Sequence, residues 1–291
     1  MFTRLACAIA AIGLIAGTGS AGGSASPPPV PPLKRVVVVV FENTSYTDVI
    51  GRRSAPTFNA MARRYGLLTR YAAVGRPSLP NYLALVSGST HGLTTTCDDC
   101  AFDAPHLGDT IEASGRTWKT YAEGLPEPGF TGAASNRYVK RHNPFLYFSN
   151  VLSTPTRLER IVPFTEFAGD VSQRRLPDFS LVVPDLCNGM HDCSVERGDA
   201  WLAKFLKPLL AGSQLAGGAV FVTFDEPSKE HAVASKAGRL ATIVIGPRVR
   251  RGARSSSAYT HYSLLRTIED AWRLPHLGKA AEVAPITGIW R

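Results

Sequence analysis

Two acidic positions stand where apolar strands open into loops. Glu42 follows the run Val36–Phe41, and Asp225-Glu226 follows Ala219–Phe224. Carboxylates so placed suit a hard cation with oxygen ligands; a single strand-end acid is more often a helix or turn cap, but two such sites in one chain favour a shared metal. Ser78 lies in Arg76-Pro77-Ser78-Leu79-Pro80-Asn81-Tyr82, just before a proline that suits the first turn of a helix. A hydroxyl there meets backbone N–H groups and the positive end of the helix, a setting for a phosphate or a serine oxyanion; the plain alternative is an N-terminal cap. His191 and Asp192 sit in the Pro184-to-Ser194 segment, beyond the apolar run Phe179–Val183. His261 opens the last long helix, and His142 follows Arg141 before Asn143-Pro144. An imidazole can act as ligand, general acid or phosphate donor, and Arg141 can clamp phosphate oxygens. Taken singly, each histidine is more often a structural hydrogen-bonder.

These residues need a scaffold that brings strand ends together. Val36–Phe41 is a continuous β-branched run, the pattern of a strand buried on both faces in a parallel sheet. Phe179–Val183, Ala219–Phe224 and residues 240–245 read the same way. Leu264, Leu265, Ile268, Ala271 and Trp272 recur at helical spacing before Leu274-Pro275. Trp201, Leu202, Phe205 and Leu206 begin another helix that Pro208 should kink or end. Segments 97–108, 123–150 and 226–239 are rich in Gly, Pro and polar residues and read as loops. Alternating strands and helices predict an α/β fold with a central, mostly parallel sheet flanked by helices. In such sheets ligands bind beyond the carboxyl ends of the strands, where the candidate residues fall.

The chain of 291 residues with 44% hydrophobic content can bury a core as one domain, which excludes a disordered protein and a miniature disulfide scaffold. The net charge of +9 is dispersed, without the basic run interleaved with aromatics that nucleic-acid binding would show. Arg4, a short apolar stretch from Leu5 to Ala16 and the small residues after it have the pattern of a secretory signal peptide, expected over residues 1–25. That stretch is shorter than the roughly 20 apolar residues a membrane span needs, so no stable membrane insertion is expected. A Pro-rich linker over 26–34 and a catalytic domain over 35–291 complete the division. Cys7 leaves with the signal. In an oxidising compartment, secreted or periplasmic, the remaining Cys97, Cys100, Cys187 and Cys193 are expected to form two local bridges, with a zinc site as the rival.

Six ordered blocks carry a resemblance. They are Glu42-Asn43-Thr44-Ser45-Tyr46, Pro77-Ser78-Leu79-Pro80-Asn81-Tyr82, His142-Asn143-Pro144-Phe145, Met190-His191-Asp192-Cys193, Thr223-Phe224-Asp225-Glu226 and His261-Tyr262-Ser263-Leu264-Leu265-Arg266-Thr267. Together they resemble the secreted bacterial phosphoesterases that include acid phosphatases and phospholipases C, within the alkaline phosphatase superfamily. The smaller secreted acid phosphatases, some described as acting on phosphoinositides, look most similar. The resemblance implies Ser78 as nucleophile and a divalent metal ion on Glu42, Asn43, Asp225 and Glu226. It implies His191 and His261 as phosphate contacts, proton donors or members of a second metal site. Asn43, Arg76, Asn81, Arg141 and His142 are expected to contact substrate. The sequence departs from the pattern twice: Arg76 stands where a histidine is expected and Gly189 where an acid is expected, so one metal is expected and a second is left open. The implied activity is hydrolysis of phosphate monoesters, phosphoinositides among them, through a phosphoserine. A phospholipase C or phosphodiesterase would use the same site. A serine carboxylesterase would use Ser78, Asp225 and His261, but Ser78 lacks a Gly-x-Ser-x-Gly elbow; a non-catalytic binding module is the remaining reading.

Overall fold

The computed structural model describes residues 1–2, 30–228 and 238–291. The signal-peptide expectation, the start of the linker and most of the expected 226–239 loop lie outside these residues. Eleven strands are present among the described residues: β1 (Val36–Phe41), β2 (Gly66–Ala72), β3 (Trp118–Ala122), β4 (Ala134–Ser135), β5 (Tyr138–Val139), β6 (Ile161–Pro163), β7 (Phe179–Val183), β8 (Ala219–Phe224), β9 (Arg239–Ile245), β10 (Arg254–Ser255) and β11 (Tyr259–Thr260). All but the β4–β5 hairpin join one sheet in the order β10-β2-β9-β8-β1-β7-β3-β6, with β11 also on β2.

The valine run forms β1 at the middle of this sheet, every residue buried. Such a strand needs apolar side chains on both faces because helices cover both. It pairs in parallel with β7 and β8, so Val36 lies beside both Phe179 and Ala219. β3 is parallel to β7 and to β6. β9 runs antiparallel to β8, and β2 antiparallel to β9. The two reversals cancel, so β2 points the same way as β1, and β11 pairs with β2 in parallel. The carboxyl ends of β1, β2, β3, β7, β8 and β11 therefore share one edge.

The predicted α/β architecture with a mostly parallel sheet is present. β2, β3 and β6 were not legible as strands. β2 carries a register shift between Leu68 and Tyr71 and exposes Arg70, and β3 carries Lys119 and Thr120, so neither shows the apolar run that marks β1, while β6 is only three residues long. Two loop expectations contain structure: the 123–150 segment folds into β4, β5 and 3-10 turns at Lys140–His142 and Pro144–Tyr147, and a helix starts at Leu107. Pro208 does not end its helix, which spans Val195–Ala211; the missing N–H removes one bond near the end, where few turns remain to be lost. From Val30 the chain is already anchored: Leu33 is buried, and its carbonyl accepts from the Trp272 indole. No helix among the described residues is long and apolar enough to cross a membrane. Disulfides join Cys97 to Cys100 and Cys187 to Cys193, as expected.

Candidate active site

β1 delivers Glu42 to the shared edge, where its backbone N–H donates to the Gly189 carbonyl at 2.8 Å. Neighbouring β8 delivers Asp225, whose N–H donates to the Phe41 carbonyl at 2.9 Å. Asp225 Oδ1 in turn accepts from the Asn43 N–H at 3.0 Å, which ties the two strand ends together. Asn43 holds a positive φ of 45° there, a conformation asparagine tolerates better than most residues.

The helix Ser78–Ser87 follows β2 and is buried along its whole length. Ser78 is its first residue, so its hydroxyl stands among the unpaired N–H groups of the first turn. Ser78 Oγ donates to Glu42 Oε2 at 3.3 Å, and Tyr82, one turn later, donates a very short hydrogen bond to Glu42 Oε1. The helix ends at Gly88 in the left-handed region, φ 70°, where a Cβ would come within 2.0 Å of the Leu277 carbonyl oxygen.

Glu42 and Asp225 are each only 1% exposed. Burial first, and Asp225 second, push the Glu42 carboxyl well above the usual range. Burial raises Asp225 as well, against the Asn43 N–H that donates to its Oδ1. Two adjoining buried acids cannot both stay ionised cheaply without a cation. Among the described residues Asp225 Oδ2 is buried with no hydrogen-bond partner.

His142 lies against this pair, its ring stacked on Tyr82 at 5.4 Å. Its Nε2 is 3.2 Å from Glu42 Oε2 yet out of line for a hydrogen bond. Burial, with Arg141 and His191 nearby, holds the imidazole well below its ordinary pKa. The contact is therefore not an ion pair; Nε2 is a neutral, buried nitrogen. Arg141 is partly exposed beside it. Asn143, fully buried, leaves both ends of its amide unpartnered among the described residues.

His191 stands at the rim on the bridged 187–193 loop, 27% exposed, with Nδ1 2.6 Å from Asp192 Oδ1 and its ring 5.8 Å from that of His142. Arg76 binds Glu226 at 3.2 Å and the Pro227 carbonyl at 3.0 Å. Gly189 packs so closely that a Cβ would meet the Asp185 carbonyl oxygen at 2.8 Å and Glu42 Cγ at 3.5 Å. The acid expected at that position has no room.

Two sequence assignments change on this geometry. His261 is 1% exposed, and both ring nitrogens are engaged: Nε2 with the Asp225 carbonyl at 2.7 Å and Nδ1 with the Tyr71 hydroxyl at 3.1 Å. A carbonyl only accepts, so Nε2 carries the proton and Nδ1 accepts from Tyr71. Burial lowers its pKa to about 4. No nitrogen is left for phosphate or metal, and no Ser78–His261–Asp225 relay forms. Asn81, expected to touch substrate, accepts from the Val74 and Gly75 N–H groups and donates to the Gly75 and Pro77 carbonyls. Its amide is fully used in bracing the loop before Ser78.

Sequence reasoning missed Tyr82, Asn143 and Tyr71. Tyr82 was findable, since positions four apart share a helix face with Ser78; Tyr71 gave no signal in β2. Among the described residues no three of His, Cys, Asp and Glu already form a closed metal cage. Glu42, Ser78 and Asp225 do converge, as the sequence required of a shared site.

Residues 52–275 match the family model described as the Phosphoesterase family. A phosphatidylinositol-3-phosphatase of Mycobacterium tuberculosis is 37% identical over 256 residues, covering 88% of this chain and 82% of that protein. A probable acid phosphatase of Kluyveromyces lactis and an acid phosphatase of Aspergillus fumigatus are 32% and 30% identical over 84% of this chain, which spans 60% and 56% of their lengths. A Vibrio parahaemolyticus protein of the alkaline phosphatase superfamily superposes with a TM-score of 0.61 at 14% identity, over 84% of this chain and 68% of that one. Human ectonucleotide pyrophosphatase/phosphodiesterase 5 gives 0.55 at 12% identity, over 84% and 97%; these two establish the fold alone. The family match, over most of a chain that gathers a serine and two buried acids at one sheet edge, makes this protein a member of the Phosphoesterase family and a hydrolase of phosphoric ester bonds.

Proposed function

We propose that the protein is a secreted, metal-dependent acid phosphatase that cleaves phosphate monoesters through a phosphoserine on Ser78. The observation that carries this reading is the Ser78 hydroxyl at a helix N-terminus, 3.3 Å from buried Glu42 and beside Asp225. The donor set fits a hard divalent cation. It offers two buried carboxyls that disfavour each other's charge and an Asp225 oxygen with no partner. Glu42 and Asp225 would hold the ion, with Asn43 and Glu226 alongside. Such an ion withdraws charge from phosphoryl oxygens and from an attacking alcohol.

The protein's own groups perform the remaining steps. Ser78 Oγ forms the bond to phosphorus while the ester oxygen leaves in line; Glu42 Oε2, 3.3 Å away, orients the serine hydroxyl, whose proton passes to solvent. Arg141 and the first-turn N–H groups draw charge from the phosphoryl oxygens. His191, oriented by Asp192, gives its proton to the leaving oxygen at the rim. Water then reverses the sequence to free phosphate and Ser78. His261 works through Asp225, fixing its backbone from behind. The two disulfides support export to an oxidising compartment. The Mycobacterium tuberculosis relative, named for a phosphoinositide, favours a lipid phosphate as substrate.

The test compares p-nitrophenyl phosphate, its bis ester and a p-nitrophenyl carboxylate, with and without chelator, for the native protein and Ser78→Ala. The monoester should be turned over fastest, and both chelator and the substitution should abolish it. Undiminished turnover in Ser78→Ala would refute the nucleophile, and indifference to chelator would refute the metal.

A further inference from the structure

A groove of about 510 Å³ lies beside the catalytic cluster, between the helices Thr165–Ser172 and Val195–Ala211. Its volume falls within the roughly 300–1,000 Å³ of small-molecule sites. Its floor is aromatic: Trp201 stacks on Phe205 at 5.2 Å, Phe167 meets Phe205 at 5.1 Å, and Phe164 meets Trp201 at 5.3 Å. Arg197 and Lys204, two turns apart on one helix, border this floor. Neither has a carboxylate partner among the described residues: Arg197 donates from Nε to the neutral amide of Asn188 at 2.7 Å. Glu123 also lines the groove, but its oxygens accept from the Asn188 amide at 2.9 Å and the Asp185 N–H at 3.1 Å. An apolar floor bordered by two cations and one carboxylate carries a net positive charge, which complements an anion with an apolar tail.

The groove and the catalytic cluster share a wall. Asn188 lines the groove, and the next residue, Gly189, binds the Glu42 N–H and packs on its side chain. The Cys187–Cys193 bridge closes this loop, and His191 stands on its rim. A molecule with its terminal phosphate at Ser78 reaches the groove by crossing one short, stapled loop.

We infer that the groove is a lipid subsite: it takes an acyl chain of a glycerophospholipid whose headgroup ends in a phosphomonoester, while Arg197 and Lys204 contact the diester phosphate between headgroup and glycerol. The inference rests on the phosphomonoesterase reading above and adds where the acyl chain of a lipid phosphate would lie. Ala168 and Ala200 are exposed on the groove walls, so Ala168→Trp and Ala200→Trp fill it without entering the core. The assay measures kcat/KM on p-nitrophenyl phosphate and on phosphatidylinositol 3-phosphate with butanoyl or hexadecanoyl chains in detergent micelles, with melting temperatures to confirm folding. Native protein should prefer the long-chain lipid, and each Trp variant should lose about tenfold on it alone, the equivalent of two buried methylenes. Lys204→Glu should lose on both lipids and keep p-nitrophenyl phosphate turnover. Full long-chain turnover in both folded Trp variants, or equal losses on p-nitrophenyl phosphate, would overturn the subsite. Native turnover of p-nitrophenyl phosphate but of neither lipid also overturns it, leaving the phosphomonoesterase intact; turnover of none of the three overturns that broader reading.

Discussion

Replacing Tyr82 with phenylalanine removes one oxygen from the wall of the catalytic cluster and changes little else. The ring that stacks on His142 at 5.4 Å is kept, so the buried volume and the packing of the Ser78–Ser87 helix survive. What is lost is the hydrogen bond from the hydroxyl to Glu42 Oε1. Among the described residues Glu42 then retains only Ser78 at 3.3 Å as an aligned donor, since His142 Nε2 is out of line. A hydrogen bond to a charged group contributes about 1.5–3 kcal/mol. Transferred to a cation site as loss of carboxylate orientation, that corresponds to a roughly 10–100-fold weaker divalent affinity. Isothermal titration of metal-free protein with Mn²⁺, Zn²⁺ and Mg²⁺, native and Tyr82→Phe, reads this directly. Turnover at saturating metal should recover most of its native value, because Ser78 itself is untouched. Affinity within a factor of two of native, in a protein whose melting temperature is also native, would show that Tyr82 does not orient the metal-binding carboxylate.

His191→Ala should separate substrates by leaving group: turnover of an alkyl phosphate such as glycerol 2-phosphate falls about 10²–10⁴-fold, whereas p-nitrophenyl phosphate, which leaves without a proton, falls far less. Equal losses on both would remove His191 from the proton-donating role. Asn81→Ala breaks four hydrogen bonds around the 74–77 loop. It should cost about 2–4 kcal/mol in denaturant unfolding and lower kcat on every ester alike; a substrate-selective rise in KM would instead make Asn81 a binding residue. Glu269 is fully buried in the helix His261–Trp272, with Oε2 unpartnered, and burial raises its pKa to about 7 from an ordinary 4.5. Between those values the folded state holds a proton that the unfolded chain has released, so its contribution to stability is complete below about pH 4.5 and is lost as pH rises through 7. Glu269→Gln should therefore melt with the native protein near pH 5 and above it at pH 8; a native-like difference at both values would refute the buried-acid account.

The amino-acid sequence by itself determined the centre of the sheet and which loops matter. Five consecutive valines and Phe41 have no stable place except a strand covered on both faces, and Glu42 must then emerge where such a strand opens. The same reasoning applies to Phe224 and Asp225. Ser78 ahead of Pro80 was legible because helix starts have local chemistry. Strands with mixed polarity, such as β3, were not, because their burial depends on what packs above them.

Only the tertiary structure decided how each polar side chain uses its capacity. His261 reads from its local sequence as a free imidazole at a helix start, yet Tyr71, 190 positions earlier, and the Asp225 carbonyl take both its nitrogens. Asn81 lies inside the motif that carries the resemblance and is consumed by its own loop. Tyr82, which stands in the same motif without a role of its own, binds Glu42 across 40 positions. Hydrophobic runs announce strands because burial follows from composition nearby. Hydrogen-bond partners are assigned by whichever distant strand end folding brings within 3 Å, and no local pattern encodes that.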